Sequence, residues 1–173
     1  LGGFGIETTR FLVERGARHL VLTSRSGEAA ASALPLIEAM RQRGATIATV
    51  AADLTDEAAM TALFARIDTT MPPLRGVLHT AMVLDDALFA NLDAARIHKV
   101  LAPKVAGADL LDRLTRQRPL DFFVLYSSAT TLIGNPGQAS YVAANAYLEG
   151  LARARHAAGL PAVAIAWGAI ADA

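Results

Sequence analysis

The 173-residue sequence lacks several features that whole classes of protein require. It has no cysteine, which excludes disulfides and thiolate metal sites. Its four histidines show no ligand spacing and lie on separate predicted elements, so we expect no metal site. Sixteen basic residues balance sixteen acidic ones, whereas nucleic-acid binding needs surplus cations. No apolar run reaches the roughly 20 residues of a membrane span, so we expect neither nucleic acid nor a membrane as a partner.

Aromatic residues and lysines are also scarce. Aromatic residues make up 6% of the chain, and alanine supplies much of the 53% hydrophobic content. With 18% charged residues, this composition indicates a packed globular chain of one domain's length, residues 1–173. Lys99 and Lys104 are the only lysines among the 16 basic residues. A site that uses a compact ammonium to stabilise a neighbouring anion therefore has two candidates.

Short apolar runs alternate with longer helical patterns, which is typical of βαβ units and a parallel sheet. The sequence predicts strands at 19–23, 46–51, 76–80, 122–128 and 162–167. It predicts helices at 5–15, 28–43, 55–68, 93–116 and 138–158, and Pro103 is expected to interrupt the fourth. The predicted fold is therefore α/β. Because the chain opens inside a glycine turn with no strand before it, we expect it to be a piece of a larger polypeptide.

The glycine turn at the start of the chain suggests phosphate recognition. Gly2, Gly3, Phe4 and Gly5 fit the end of a dinucleotide-binding loop. Glycine allows the backbone to approach a pyrophosphate closely at the N-terminus of a helix. An ordinary glycine turn is the alternative interpretation of these residues.

Two later positions bear on the same cofactor. The strand at 19–23 is followed by Ser24 and Arg25, with no acid before Glu28. Arg25 would pair with a 2′-phosphate through its forked donors, which favours NADPH over NADH. A solvated loop arginine is the alternative. Asp53 follows the next strand and would either accept from the adenine amino group or cap the approach to a helix.

Three polar residues in the second half of the sequence suggest a reactive site. Tyr141 and Asn145 are spaced so that one helix face carries a phenol and an amide. Ser128 ends an apolar strand, and the carboxyl end of a parallel strand faces the ligand crevice. Taken singly, the tyrosine is explained by helix packing and the serine by a turn. Their combined spacing, with one of the rare lysines nearby, favours catalysis.

Longer motifs along most of the chain resemble one family. They are LGGFG at 1–5, LTSRSG at 22–27, VLDD at 83–86, LAPKVAG at 101–107, FFVLYSS at 122–128 and NPGQASYVAANA at 135–146. These motifs are similar to those of the ketoreductase domain of modular type I polyketide synthases, in the short-chain dehydrogenase/reductase superfamily. Most of that superfamily has a lysine four residues after the tyrosine, whereas these ketoreductases exchange the lysine and asparagine positions. The resemblance therefore gives the lysine role to Lys104 and the asparagine role to Asn145.

The resemblance implies a Rossmann-like doubly wound parallel sheet with helices on both faces, here without its first strand and substrate lid. It implies NADPH-dependent reduction of a β-ketoacyl thioester held by the phosphopantetheine of an acyl carrier protein, in the cytoplasm and beside other synthase domains. Tyr141 would donate the proton, and Ser128 would bind the carbonyl oxygen. The Lys104 ammonium would stabilise the phenolate. Asn145 would position Lys104 or a water that relays protons.

Further site positions follow from the same resemblance. Contacts with the cofactor are expected from Leu54, His79, Thr80 and Ala81. For His79, a packed or backbone-bonded histidine is favoured over a catalytic one.

Substrate steering is expected from Leu84, Asp85, Asp86 and Gln138. Leu-Asp-Asp is similar to the marker of B-type domains, which the family associates with an R hydroxyl, although a surface turn is the alternative.

Three positions bear on the subtype and on activity. Ile133 stands where A-type domains have tryptophan, and Ala143 stands where epimerising B-type domains have proline, which implies no epimerisation. Met82 replaces the glycine usual at the nicotinamide ribose, where glycine permits close backbone approach. A catalytically impaired structural domain is therefore one alternative, and a reductase of a fatty-acid synthase or a stand-alone reductase is another.

Overall fold

The structure is a computed structural model that describes residues 3–27 and 31–169. These residues divide into two compact units, residues 3–73 and residues 74–169. Each unit contains a parallel sheet whose strands alternate with helices. The predicted Rossmann-like α/β class is therefore confirmed. Within the described ranges, no helix has the length and apolar character needed to cross a membrane.

The first unit contains two strands and three helices. In chain order they are α1 (Gly3–Glu14), β1 (His19–Ser24), α2 (Leu34–Gln42), β2 (Thr46–Ala51) and α3 (Glu57–Thr70). β1 and β2 pair in parallel along their whole length, from His19 opposite Thr46 to Ser24 opposite Ala51. The core between these strands and the first two helices is built from Ile6, Val13, Leu20, Ile37, Met40 and Ile47.

Local sequence explains where these helices begin and end. Gly16 follows α1 with a φ of +104°, a left-handed conformation that glycine adopts without strain. Residues 31–33 form a turn and α2 begins at Leu34, so the predicted start at 28 is too early. Pro35 lies in the first turn of α2, where its missing N–H costs least. Asp56 begins α3 by accepting from the Ala59 N–H at 3.0 Å.

The second unit carries a three-stranded sheet. Its elements are β3 (Gly76–His79), a 3-10 turn (Phe89–Asn91), α4 (Ala94–Lys104), α5 (Ala106–Thr115), β4 (Phe122–Ser128), α6 (Thr130–Ile133), α7 (Ala139–Ala157) and β5 (Val163–Trp167). β4 is the central strand and pairs in parallel with β3 and with β5. The carboxyl ends of all three strands therefore lie at one edge of the sheet, where ligands bind in such folds.

The helix predicted over 93–116 is two helices. Asp93 caps α4 by accepting from the Arg96 N–H at 2.9 Å. Pro103 cannot donate to the carbonyl one turn earlier, which weakens the end of α4. Val105 then separates α4 from α5 with φ −91° and ψ −66°. The interruption expected at Pro103 is thus confirmed, and it places Lys104 at the last position of α4.

A buried ion pair joins α5 to α7 beneath β4. Arg155 is 0% exposed, and its Nη1 donates to Oδ1 of Asp112, which is 3% exposed, at 2.5 Å. The second oxygen of Asp112 accepts from Nε of Arg116 at 2.8 Å. The Arg155 guanidinium carbon lies 4.0 Å from the ring centroid of Phe123 and its Nε donates to the Pro161 carbonyl at 3.2 Å. Both buried charges are therefore paired and hydrogen-bonded, as burial requires.

Candidate active site

Lys104 ends α4 inside the second unit. Its side chain is buried, and its Nζ donates to the Tyr126 carbonyl of β4 at 2.7 Å. Removal from water disfavours an ammonium, and burial lowers the pKa of Lys104 to about 8. The group therefore changes charge close to neutral pH.

Tyr141 lies in the first turn of α7, and its ring meets the lysine. The Lys104 Nζ is 5.5 Å from the centroid of the Tyr141 ring. Tyr141 is half-buried, so part of the residue remains accessible. The structure thus brings together an ammonium and a phenol that lie on different helices, because α4 and α7 pack against each other.

Asn145 lies one turn further along α7 and is fully buried. Its Nδ2 donates to the Tyr141 carbonyl at 2.8 Å. Its Oδ1 is buried and has no hydrogen-bond partner in the part of the chain that the structure describes. A buried acceptor without a donor is costly in a folded protein. This oxygen is therefore placed to accept from a water or from a bound ligand.

Ser128 is the last residue of β4 and is buried. Its Oγ accepts from the Thr130 backbone N–H at 3.2 Å and lies within hydrogen-bond distance of the Thr130 Oγ1, at 3.0 Å. Because α7 packs across β4, Ser128, Lys104 and Tyr141 all belong to elements that contact β4 or form part of it. The predicted catalytic residues therefore lie on one packed group of elements.

Sequence reasoning missed a group of polar residues around Ser128. Glu149 of α7 accepts from Ser127 Oγ at 2.7 Å and from Thr131 Oγ1 at 2.8 Å. The Thr131 hydroxyl shares its one proton with the Ser128 carbonyl at 2.9 Å. The available signal was that four of the five residues at 127–131 carry hydroxyl groups, which is unusual at the end of a strongly apolar strand.

His79 ends β3 and is buried. It forms a hydrogen bond with the backbone of Pro103. Burial, with the nearby charge of Lys104, lowers the pKa of His79 to about 3, so the imidazole is neutral at physiological pH. This environment agrees with the packed, backbone-bonded interpretation. Thr80 and Ala81 follow and are half-buried, and their contact with a cofactor stays a prediction.

The loop with the Leu-Asp-Asp motif is tied down on both sides. Asp85 is 17% exposed and accepts from Arg96 at 2.5 Å and from Lys99 at 2.9 Å, both on α4. Those hydrogen bonds, that from Lys99 above all, hold the pKa of Asp85 below its usual range. Asp86 accepts from Gln138, immediately before α7, at 2.9 Å.

Side-chain bonds therefore attach this loop to α4 and to the residue before α7. Its backbone is attached as well, because the Ala87 N–H donates to the Gly137 carbonyl at 2.9 Å. Leu84, in contrast, is 47% exposed. The aspartates therefore hold the loop in place and leave Leu84 available for contact.

The residues expected at the phosphate end belong to the first unit. Gly3, Phe4 and Gly5 form the first turn of α1, whereas Gly2 lies outside the described residues. Ser24 ends β1, and Arg25 is exposed directly after it.

The turn after β1 is held close to β2. Gly27 has a φ of +72°, and a Cβ on it would lie 2.6 Å from the Ala51 nitrogen, so only glycine fits there. This close approach places the turn that carries Arg25 beside the end of β2.

Asp53 forms the turn that leads into α3. Its Oδ1 accepts from the Thr55 N–H at 2.8 Å and from the Thr55 hydroxyl at 2.7 Å. These bonds hold the pKa of Asp53 below its usual range, and the positive charge of Arg25 adds to the effect. The geometry supports the alternative of a helix-approach aspartate. Leu54, the next residue, is half-buried.

These residues fit an anionic dinucleotide on two observations. The N-terminus of α1 presents backbone N–H groups and the positive end of a 12-residue helix. The exposed Arg25 adds a cation at the carboxyl end of β1, where the turn Ser24–Gly27 contains no acid. Among the described residues, no group of three histidine or carboxylate side chains is arranged to hold a metal ion.

Comparison with known proteins identifies a family along almost the whole chain. The KR-domain family model matches residues 1–172. The polyketide synthase GfsA of Streptomyces halstedii is 47% identical over 171 residues, which are 99% of this chain and 2% of that synthase. The chain thus matches a small part of a much longer relative.

Solved structures give the same result. A ketoreductase from the first module of phoslactomycin biosynthesis in Streptomyces sp. HK803 superposes with a TM-score of 0.92 at 43% identity, covering 98% of this chain and 40% of that one. An A-type ketoreductase from a modular polyketide synthase superposes with a TM-score of 0.92 at 40% identity, covering 99% of this chain and 36% of that one. The chain therefore belongs to the family of ketoreductase domains found in polyketide synthases. These domains are oxidoreductases of the short-chain dehydrogenase/reductase type.

Proposed function

We propose that this chain acts as one catalytic domain that uses NADPH to reduce a β-ketoacyl thioester to a β-hydroxyacyl thioester. The thioester would be carried by an acyl carrier protein during polyketide assembly, with other synthase domains as neighbours. The observation that carries the proposal is the buried Lys104 ammonium 5.5 Å from the ring of Tyr141. Support comes also from family membership, since the solved relatives are named ketoreductases.

The cofactor would be held by residues that already have suitable chemistry. NADPH supplies the hydride that adds to the ketone carbon. In the first unit, the N–H groups of Gly3, Phe4 and Gly5 would bind the pyrophosphate, and Arg25 would bind the 2′-phosphate. In the second unit, the backbone after His79 would contact the nicotinamide ribose.

The proton would come from the Tyr141 hydroxyl. The Lys104 ammonium stabilises the phenolate that proton loss leaves behind, and a buried charge acts more strongly than one in water. The Ser128 hydroxyl would donate to the ketone oxygen and hold it near the phenol. The unpartnered Oδ1 of Asn145 would accept from a water that resupplies the proton.

The Leu-Asp-Asp loop supports reduction of the B type, which gives an R hydroxyl. Both of its carboxylates are engaged, Asp85 with α4 and Asp86 with Gln138. Asp85 is paired with two cations and therefore acts on the substrate through the position of the loop. Asp86 has the same positioning role, although its partner Gln138 is neutral and does not compensate its negative charge. We propose that the exposed Leu84 limits the approach of the pantetheine arm to one side.

Assay of the full-length protein tests this function directly. The probe is the N-acetylcysteamine thioester of acetoacetate, supplied with NADPH or with NADH, and the product is resolved by chiral chromatography. We expect reduction to the R alcohol, with kcat/KM at least about tenfold higher for NADPH because a charge-assisted pair contributes about 1.5–3 kcal/mol.

The outcomes of this assay separate the alternatives. Absence of turnover would favour a catalytically impaired domain, for which Met82 is the supporting feature. An S alcohol would overturn the B-type assignment but leave the reductase activity standing. Equal use of NADH would overturn the role of Arg25.

Reduction should slow as the pH rises through about 8. Burial lowers the pKa of Lys104 to about 8, so the ammonium is present below that pH and lost above it. The neutral amine no longer stabilises the phenolate, so kcat/KM should fall by up to about tenfold per pH unit on the alkaline side. The measurement is the pH profile of kcat/KM at saturating NADPH.

A Lys104→Arg variant is the control for that profile. Its guanidinium stays charged at every pH used, so the fall near pH 8 should disappear whatever the variant's absolute rate. The same fall in Lys104→Arg would show that another group is titrating.

A further inference from the structure

Four hydroxyl groups gather where β4 ends and α6 begins, and two of them donate to carboxylate or carbonyl oxygens. Ser127 Oγ donates to Glu149 at 2.7 Å. Thr131 Oγ1 shares its one proton between Glu149 at 2.8 Å and the Ser128 carbonyl at 2.9 Å. Thr130 Oγ1 lies 3.0 Å from Ser128 Oγ. The protons of Ser127 and Thr131 are therefore committed within the protein.

Ser128 Oγ differs from the other three because, among the described residues, its hydrogen-bond contacts are both with Thr130. It accepts from the Thr130 backbone N–H at 3.2 Å and lies 3.0 Å from the Thr130 hydroxyl. A hydroxyl has two acceptor sites and one proton to donate, so either of two touching hydroxyls can be the donor. When Thr130 is the donor, it occupies both lone pairs of Ser128 and leaves the Ser128 proton for a ligand.

We propose that Thr130 is a positioning residue for the reduction, holding the Ser128 proton toward the ketone oxygen. The proposal rests on the proposed function, because it needs a carbonyl substrate beside Ser128. A hydroxyl that accepts a hydrogen bond becomes a better donor, since linked hydrogen bonds polarise each other. Negative charge builds on the ketone oxygen as hydride adds, so the benefit is greatest in the transition state. Thr130 should therefore affect kcat more than KM.

Two variants can separate the role of the Thr130 hydroxyl from a role of Thr130 in shaping the local turn. Its backbone N–H bond to Ser128 closes a turn that serine and threonine commonly make, and any residue except proline supplies that N–H. Thr130→Val removes the hydroxyl and keeps both the N–H and the branched shape. Thr130→Ser keeps the hydroxyl and loses a methyl group. The pair of variants separates hydrogen bonding from packing.

The experiment measures both variants in the full-length protein, with acetoacetyl N-acetylcysteamine thioester and NADPH. We expect Thr130→Val to lower kcat about tenfold, the effect of losing one hydrogen bond of ordinary strength, with KM changed less than about twofold. Thr130→Ser should stay within about twofold of the wild-type kcat. Unchanged kcat in Thr130→Val would overturn the proposal, as would equal losses in the two variants.

A double-mutant cycle with Ser128→Ala supplies the second readout. If Thr130 acts through the Ser128 hydroxyl, Thr130→Val should cause no further loss once that hydroxyl is absent. An equal loss in both backgrounds would show that Thr130 acts elsewhere. An inactive wild type would defeat the proposed function itself, and the Thr130 proposal with it. An active wild type with an unaffected Thr130→Val defeats the Thr130 proposal alone.

Discussion

Tyr141→Phe should reduce turnover by about a thousandfold, in the middle of the range for removing a positioned general acid. The variant loses only the phenol O–H, since the phenylalanine ring still packs against the Lys104 ammonium, whose Nζ lies 5.5 Å from the ring centroid. Folding and cofactor binding should therefore survive while proton donation is lost. The measurements are the rate of NADPH oxidation with the acetoacetyl thioester and the NADPH dissociation constant from fluorescence.

Tyr147→Phe is the matched control. Tyr147 lies on the same helix, α7, and is also half-buried. Its hydroxyl has no part in the proposed chemistry, so we expect turnover within about twofold of the wild type. Similar rates in Tyr141→Phe and Tyr147→Phe would show that Tyr141 is not the proton donor.

Asp112→Asn should destabilise the fold by about 3–5 kcal/mol, the usual cost of removing one partner from a buried ion pair. Arg155 is 0% exposed, so water cannot solvate its charge when the Asp112 carboxylate is replaced by a neutral amide. The geometry of the pair, with Nη1 2.5 Å from Oδ1, ties α5 to α7. The free energy of unfolding in urea is the quantity to measure.

Asp109→Asn on the same helix is the comparison for that variant. Asp109 pairs with Arg113 at 3.2 Å, and each side chain is about half exposed, at 49% and 50%. Water screens such pairs, so its unfolding free energy should hardly change. Equal unfolding free energies for the two variants would show that the buried pair stabilises the fold no more than the exposed pair does.

The fold was predictable where a strand is a long apolar run with clear ends. The strands at 46–51 and 122–128 have the predicted bounds. The start of α2 was misplaced because Pro35 restricts the first turn more than helical periodicity suggested. Neither α6 nor the 3-10 turn was predicted, since three or four residues are too few to show a period.

The site was predictable only in part, because its contacts join residues far apart in the sequence. The spacing of Tyr141 and Asn145 on one helix was visible directly. The partnership of Lys104 with Tyr141 came from family resemblance alone. The bond between Asp86 and Gln138 spans 52 positions, and no local pattern encodes it. The same holds for Glu149 beneath the hydroxyl cluster.

The anchoring of the Leu-Asp-Asp loop links product handedness to reaction speed. Asp85 forms ion pairs with α4, the helix that ends at Lys104. Asp86 accepts a hydrogen bond from Gln138, which directly precedes the helix that carries Tyr141. Replacing this loop to invert the configuration of the alcohol would also remove the hydrogen bonds that hold α4 and the start of α7. Those helices position the Lys104 ammonium and the Tyr141 hydroxyl. Engineers who graft a loop from the opposite stereochemical class should therefore transplant its partners on both helices together with it.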